Sequence, residues 1–304
     1  MITSLWTGLL HNKAKAVEKV EEKSTVTRCF CKYPLKFIIP KKVGCSSKTD
    51  AVWIYTLSYG GGIVSGDCIS VGLSVGDGCT AAMTTQASTK VYKSVGSKCS
   101  EQILEAGIGR DALLAFIPDP VTCYSTARYS QKQVFRVFPE SNLVVVDWVT
   151  SGRHESGEKW DFESYKSINH IYLKDDDPLF IDSVLLDQMS GKSISDRMQD
   201  YQAIAMVIIL GPKLKHIQDL LRAEVKQMMS GKFHSPTVNQ RYQMTTESKH
   251  VQSKPALLAS CSSFGPKGIG VVVRIAATTT ESIYVFLRHN LASLEPFLGA
   301  QPYR

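Results

Sequence analysis

The chain has 304 residues, of which 43% are hydrophobic and 21% charged, and its 35 Lys and Arg outnumber its 28 Asp and Glu by seven. A chain of this length can bury a sizeable core, and its ordinary Gly and Pro content excludes collagen, coiled coil and disorder along the whole chain. No run reaches the ~18 to 20 apolar residues that a membrane helix needs. We therefore expect a soluble globular protein with no membrane partner.

The excess of positive charge is spread along the chain and interleaved with acidic residues, as at 13–23. A nucleic-acid binder usually concentrates its bases on one face or in one run. Nucleic acid is therefore not expected as a partner, whereas an acidic protein partner suits the charge. A nucleic-acid-binding β domain is kept as an alternative hypothesis.

The eight cysteines form no disulfide framework and no CxxC pair. Only Cys29 and Cys31 are close, and on a strand they would share a face. They are interpreted as two half-buried small residues, with a soft-metal site as the weaker alternative. Because no secretory signal precedes the first strands, the pattern indicates a cytoplasmic protein.

Residues 1–15 are predicted to be a flexible N-terminal extension, and residues 16–304 a single domain. Up to about residue 187, short runs rich in β-branched residues end at Gly, Asp or Pro every 8 to 12 residues. This spacing is typical of many-stranded β architectures. The apolar run at 143–149 is predicted to be a buried strand. Helical stretches between the strands are missing, so a βαβ fold is not expected.

The second half of the chain predicts two helices among further strands. A strand at 201–210 ends at Gly211 and Pro212, and apolar residues then recur with helical period over 213–229. The polar segment 233–254 is predicted to be a loop and 268–277 a strand. A second helix is expected to begin at Thr280 and end at Pro296. The predicted fold is mostly β, a single layered β domain of β-helix or sandwich type with two C-terminal helices.

The glycine-rich stretch at 59–67 is the most unusual motif. A phosphate-binding P-loop would end in Gly-Lys-Ser/Thr before a helix, whereas this stretch ends in Gly-Asp and runs into a predicted strand. A tight bend where strands approach closely is favoured, with Asp67 held in a fixed place. A glycine-loop nucleotide-binding enzyme remains the alternative.

Polar residues in several segments could contact a cation. The run 84–92 is dense in hydroxyl groups and ends near Lys90, and Asp147 closes an apolar run. A buried carboxylate needs a pairing partner or a cation. For Asp147, an ion pair with Arg153 is as favoured as contact with a cation. The oxygen ligands suit transient contact with a divalent ion better than tight storage; they are Asp67, Asp119, Asp147 and Glu158.

Taken together, the segments resemble the urease accessory protein UreD family, called UreH in some organisms, in its plant-like form. The carriers of the resemblance are 24–28 with 33–36, Gly-Gly-Ile-Val-Ser-Gly-Asp at 61–67, Thr-Thr-Gln-Ala-Ser-Thr-Lys-Val-Tyr at 84–92, Phe-Ile-Pro-Asp-Pro at 116–120, and Asp147 through Gly152-Arg153 to Gly157-Glu158. They span about residues 16 to 187 in the family's order. The sequence departs from the family in residues 1–15 and at His154, where many members have Pro.

The resemblance implies a non-enzymatic nickel chaperone scaffold with no tightly bound cofactor. It implies binding to UreF, to the GTPase UreG through UreF, and to apo-urease, with nickel in transit through a polar internal passage. The positions that match the family's passage, as lining or gate candidates, are Asp67, Thr85, Lys90, Asp119, Asp147, Arg153 and Glu158. Transient nickel contact is expected at Asp67, Asp147 and Glu158.

The predicted C-terminal helix carries a broad apolar stripe, formed by Phe286, Leu287, Leu291 and Leu294. Such a stripe suits a partner interface, and it also suits packing on the chain's own core. The four residues are taken as partner-interface candidates, with core packing as the favoured alternative.

Overall fold

The computed structural model describes residues 10–40, 49–188, 191–230 and 255–303. The first twelve strands are β1 (Leu10–Val20), β2 (Lys23–Arg28), β3 (Leu35–Ile38), β4 (Ala51–Ser58), β5 (Cys68–Val75), β6 (Thr80–Thr85), β7 (Thr89–Val91), β8 (Ser100–Ile108), β9 (Leu113–Phe116), β10 (Val121–Cys123), β11 (Arg128–Val137) and β12 (Asn142–Thr150). They are followed by β13 (Ser164–Leu173), β14 (Pro178–Asp187), α1 (Ile194–Met198), β15 (Ala203–Leu210), α2 (Lys215–Ser230), β16 (Leu257–Phe264), β17 (Gly270–Ala277), α3 (Thr280–Leu291) and α4 (Glu295–Leu298).

The strands form two sheets. The first sheet has seven strands in the order β14-β13-β11-β8-β5-β1-β2, and the second has ten, with the main order β16-β17-β15-β12-β9-β6-β4-β3. From β4 to β13 the chain passes repeatedly between them, so that parallel neighbours stack in each sheet, β5-β8-β11-β13 in one and β4-β6-β9-β12 in the other. This stacking confirms the predicted mostly β, solenoid-like architecture.

The structure has three layers, the two sheets and a layer of helices, with a hydrophobic core between each pair of neighbouring layers. The inward faces of the sheets enclose one core, and the outer face of the second sheet is covered by α2, α3 and α4 around the other. Strand β12 is buried on both faces, which explains its nearly continuous apolar sequence. Val145 and Val149 face the first sheet, whereas Val144 and Trp148 face the helices. Alternation therefore places Asp147 between the two sheets.

The four apolar residues of the C-terminal stripe belong to the helix-side core. Phe286 is 6% exposed, and Leu287, Leu291 and Leu294 are at most 1% exposed. The interpretation as a partner interface is therefore corrected, because these side chains are already covered by the chain's own sheet. Val285 on the same helix is 55% exposed.

The N-terminal boundary and the helices also differ in detail from the prediction. Strand β1 begins at Leu10, inside the expected extension, because it pairs in parallel with β5. Two short helices, α1 and α4, accompany the two expected long ones. The second long helix is capped by Thr279, whose hydroxyl accepts a hydrogen bond from the backbone of Ser282. The predicted loop at 233–254 lies outside the described residues.

Within the described ranges, no helix combines the length and the apolar character that crossing a membrane requires. Strand β2 ends at Arg28, so Cys29 and Cys31 follow the strand, and both are exposed rather than half-buried.

Candidate functional site

Asp147 lies at the centre of a buried polar cluster between the sheets. Asp147 is 8% exposed. Oδ1 accepts a hydrogen bond of 2.6 Å from the amide of Gln131, and Oδ2 accepts one of 2.7 Å from the amide of Asn169. The hydroxyl of Ser167 also donates to Oδ2. Neutral donors therefore satisfy this buried carboxylate, and the pairing with Arg153 expected from the sequence is not formed.

The donors come from the first sheet, and strand alternation explains their position. On β13, Ser167 and Asn169 point inward, and Gln131 lies directly beside Ser167 on β11. Sequence reasoning missed these three residues. A signal was nevertheless present, since Gln131 falls in phase with Phe135 and Val137, both of which are buried.

The protonation of Asp147 is set by two opposing influences. Burial raises the pKa of its carboxyl, because the charged form loses water, whereas the hydrogen bonds from Ser167, Asn169 and Gln131 lower it. Burial is the larger effect, so the pKa lies above its usual value.

Two cavities meet at Asp147. The first, of about 180 Å³, has polar lining from Thr85, Asp119, Gln131 and Gln133. The second, of about 370 Å³, lies towards β14, β16 and β17. Asp147 lines both. The Asp147 carboxylate thus borders both spaces.

Thr85 and Asp119 are held together on the first cavity. The Thr85 hydroxyl accepts a 2.9 Å hydrogen bond from the Asp119 backbone amide, and the Tyr284 hydroxyl donates to Asp119 Oδ1 at 2.8 Å. Burial raises the pKa of Asp119, with these hydroxyl contacts opposing it. Both residues predicted here therefore share the cavity with Asp147.

The remaining four predicted residues line neither cavity. Asp67 accepts a 3.0 Å hydrogen bond from the backbone of Val64 and closes the turn before β5. Lys90 is exposed on β7.

Arg153 forms an ion pair with Glu158, and its Nε donates to Oε1 at 3.1 Å. These hydrogen bonds lower the pKa of Glu158, which is 7% exposed.

The three expected nickel ligands are not brought together, because Asp67 and Glu158 belong to turns away from the Asp147 cavities. In the part of the chain that the structure describes, no three His, Cys, Asp or Glu side chains group closely enough to hold a metal ion.

The glycine-rich stretch is a close approach of two backbones. A Cβ at Gly62 would lie 2.6 Å from the carbonyl oxygen of Lys90, and Ile63 forms a parallel bridge with Val91. Strand β5 follows the stretch, so no helix N-terminus is offered to a phosphate. The geometry is the tight bend predicted from the sequence.

Comparison with known proteins identifies the family. The sequence profile described as "UreD urease accessory protein" matches residues 13–304. The chain belongs to the UreD family. Among its relatives, Urease accessory protein D of Oryza sativa subsp. indica is 66% identical over 95% of this chain and 94% of its own length. Urease accessory protein D of Arabidopsis thaliana is 62% identical over 94% of this chain and 97% of its own length.

The similarity extends to bacteria. The urease accessory protein UreD of Sorangium cellulosum is 33% identical, covering 94% of this chain and 80% of its own length. Membership in the UreD family supports an accessory role in the maturation of urease.

Proposed function

We propose that this chain is a non-enzymatic scaffold that passes nickel to apo-urease through the space between its two sheets. The observation that carries the proposal is the position of Asp147, which lines both cavities and accepts hydrogen bonds from neutral donors, with no Lys or Arg paired to it among the described residues. Nickel is cargo here, and the protein's task is to bind it weakly and release it.

The chemistry around Asp147 suits transit. A carboxylate can replace part of the water shell of a divalent cation, and oxygen ligands hold such ions less firmly than clustered Cys and His. Gln131, Ser167 and Asn169 fix the orientation of the carboxylate before a cation arrives. Because burial raises the pKa of Asp147, binding of a cation would displace any proton held on the carboxyl.

The partners follow from the family resemblance. UreF would bind this chain and recruit the GTPase UreG, and the assembly would dock on apo-urease. Nucleotide hydrolysis would belong to UreG, in agreement with the glycine-rich stretch acting as a bend. Every cysteine in the described ranges is free, which suits the reducing cytoplasm.

The proposal is tested in cells that lack this protein. Urease activity and urease-bound nickel are measured after return of the wild type, Asp147→Asn, or the matched control Asp175→Asn on the exposed turn between β13 and β14. The wild type and the control should restore nickel-loaded urease. Asp147→Asn should still co-purify with UreF and urease but leave urease poor in nickel.

Two results would contradict the proposal. Fully metallated urease in cells without the protein would remove the maturation role. Full nickel loading with Asp147→Asn would leave the accessory role intact but exclude a passage through Asp147.

A further inference from the structure

Two buried acceptor oxygens near Asp147 have no hydrogen-bond partner among the described residues. They are Oδ1 of Asn169 and Oδ2 of Asp182. The two residues are directly paired on β13 and β14, so both side chains point into the space between the sheets. Asn169 is 1% exposed, and the side chain of Asp182 is 12% exposed. Buried acceptors without donors are rare and attract a cation or a donor.

The orientation of the Asn169 amide is fixed by its neighbours. Its nitrogen donates to Asp147 Oδ2 at 2.7 Å and to the Ser167 hydroxyl at 3.3 Å. A carboxylate accepts hydrogen bonds and donates none when ionised, so the nitrogen must face Asp147. The carbonyl oxygen of Asn169 is therefore the atom left for another ligand.

A cationic side chain lies beside these two oxygens. Arg274 on β17 donates to Asp182 Oδ1 at 2.6 Å and lines the second cavity. Among the described residues that line the two cavities, it is the one cationic side chain. Its side chain is 50% exposed, so the guanidinium is placed between the cavity and the solvent.

We propose that Asp182 and Asn169 form a second divalent-cation position beside Asp147, and that Arg274, bound to the other oxygen of Asp182, is a resident cation that disfavours metal binding there. This proposal rests on the nickel passage proposed above. The guanidinium takes one oxygen of Asp182 and repels a metal ion, since two cations at hydrogen-bonding distance of one carboxylate repel each other strongly in a partly buried site. The position opens when the guanidinium moves outward, and Arg274 thereby closes the second cavity in the isolated chain.

The inference is tested by titrating the purified full chain with Ni²⁺ in a calorimeter. Arg274→Gln should bind Ni²⁺ about tenfold more tightly than the wild type, because one like charge is removed from the position. Arg274→Lys keeps the charge and should bind as the wild type does. The double variant Arg274→Gln, Asp182→Asn should lose the gain. The matched control is Arg288→Gln, whose side chain is 49% exposed on α3.

The outcomes separate this inference from the proposed function. Equal Ni²⁺ affinity of Arg274→Gln and the wild type, with urea unfolding showing that both are folded, would overturn the resident-cation proposal. A gain that survives in the double variant would overturn the role of Asp182. Neither result bears on the passage itself, which is tested separately by the nickel loading of urease in cells that lack the protein or carry Asp147→Asn.

Discussion

The amide nitrogen of Gln131 lies 2.6 Å from Oδ1 of Asp147 and joins the first sheet to the second. Gln131 belongs to β11 and Asp147 to β12, which follow each other in the chain but lie in different sheets. The link belongs to a polar cluster inside a largely apolar core. Because the bond spans the sheets, the protonation of one carboxyl affects how they are held together.

Asp147 should make the stability of the protein depend on pH. Burial raises the pKa of Asp147 above the usual 3.8, so the folded state holds the proton more firmly than the unfolded state. The contribution of this group to stability is therefore most favourable below the usual value and declines as the pH rises through the raised pKa. Asn does not titrate. From about pH 4 to pH 7, the stability of Asp147→Asn relative to the wild type should improve.

Urea unfolding at the two pH values measures this difference. Asp175→Asn, in an exposed turn, is the matched control. A relative stability of Asp147→Asn that stays constant or falls would contradict the assignment of a raised pKa.

The ion pair of Arg153 and Glu158 should stabilise the turn after β12 without any part in nickel transfer. Arg153→Ala leaves the buried carboxylate of Glu158 without its guanidinium donors, which should lower the free energy of unfolding at neutral pH. The pKa of Glu158 is lowered below the usual 4.5, so its contribution is present above that value and is lost as the pH falls through the lowered pKa.

The difference in unfolding free energy between the wild type and Arg153→Ala should therefore shrink on acidification. A control is Arg136→Ala, whose ion pair with Asp176 is exposed and should contribute at most about 1 kcal/mol. Loss of urease-bound nickel with a stable Arg153→Ala protein would show that the pair has a further role.

Leu291 should behave as a core residue. It is 1% exposed between α3 and the second sheet, so Leu291→Ala should lower the free energy of unfolding by about 2–5 kcal/mol. Val285→Ala on the exposed face of the same helix should change it by no more than about 0.5 kcal/mol. Denaturant unfolding distinguishes the two, and a Leu291→Ala protein of wild-type stability would restore the interface interpretation.

Gly62 should tolerate no side chain. A Cβ there meets the Lys90 carbonyl oxygen at 2.6 Å and Cε2 of Tyr92 at 2.7 Å, so Gly62→Ala forces the backbones apart and should cost at least about 2 kcal/mol. Gly107→Ala, where a Cβ has open space, should be neutral within about 0.5 kcal/mol. Thermal unfolding measures both, and equal melting temperatures would contradict the close approach.

The fold class was accessible from the sequence because strand spacing and helical period are local properties. The buried strand at 143–149 and the helix at 213–229 were predicted from a few neighbouring residues, and both are present. The Asp147 position was found for the same reason, since a carboxylate in an apolar run is conspicuous. The residues that donate hydrogen bonds to Asp147 are distant in sequence and lie in the other sheet. The sequence indicates them only through the alternation of inward-facing residues along their strands.

Other parts of the site could not be predicted from pattern alone. The apolar stripe of α3 looks the same whether it faces the chain's own sheet or a partner, and only packing decides between them. Arg153 follows Asp147 closely in sequence, yet the chain turns and directs its guanidinium to Glu158. Arg274 donates a hydrogen bond to Asp182, which lies 92 residues earlier in the chain. No local sequence pattern predicts such a contact.

The indole nitrogen of Trp53, on the early strand β4, donates at 2.8 Å to the carbonyl oxygen of Leu298, at the end of α4. The second cavity likewise needs β16 and β17 for its walls. During synthesis on the ribosome, strand β12 with Asp147 emerges long before β16 and β17, which line the second cavity. The interior therefore stays open to water until the last elements arrive, and a nascent chain cannot confine a metal ion there before it is released.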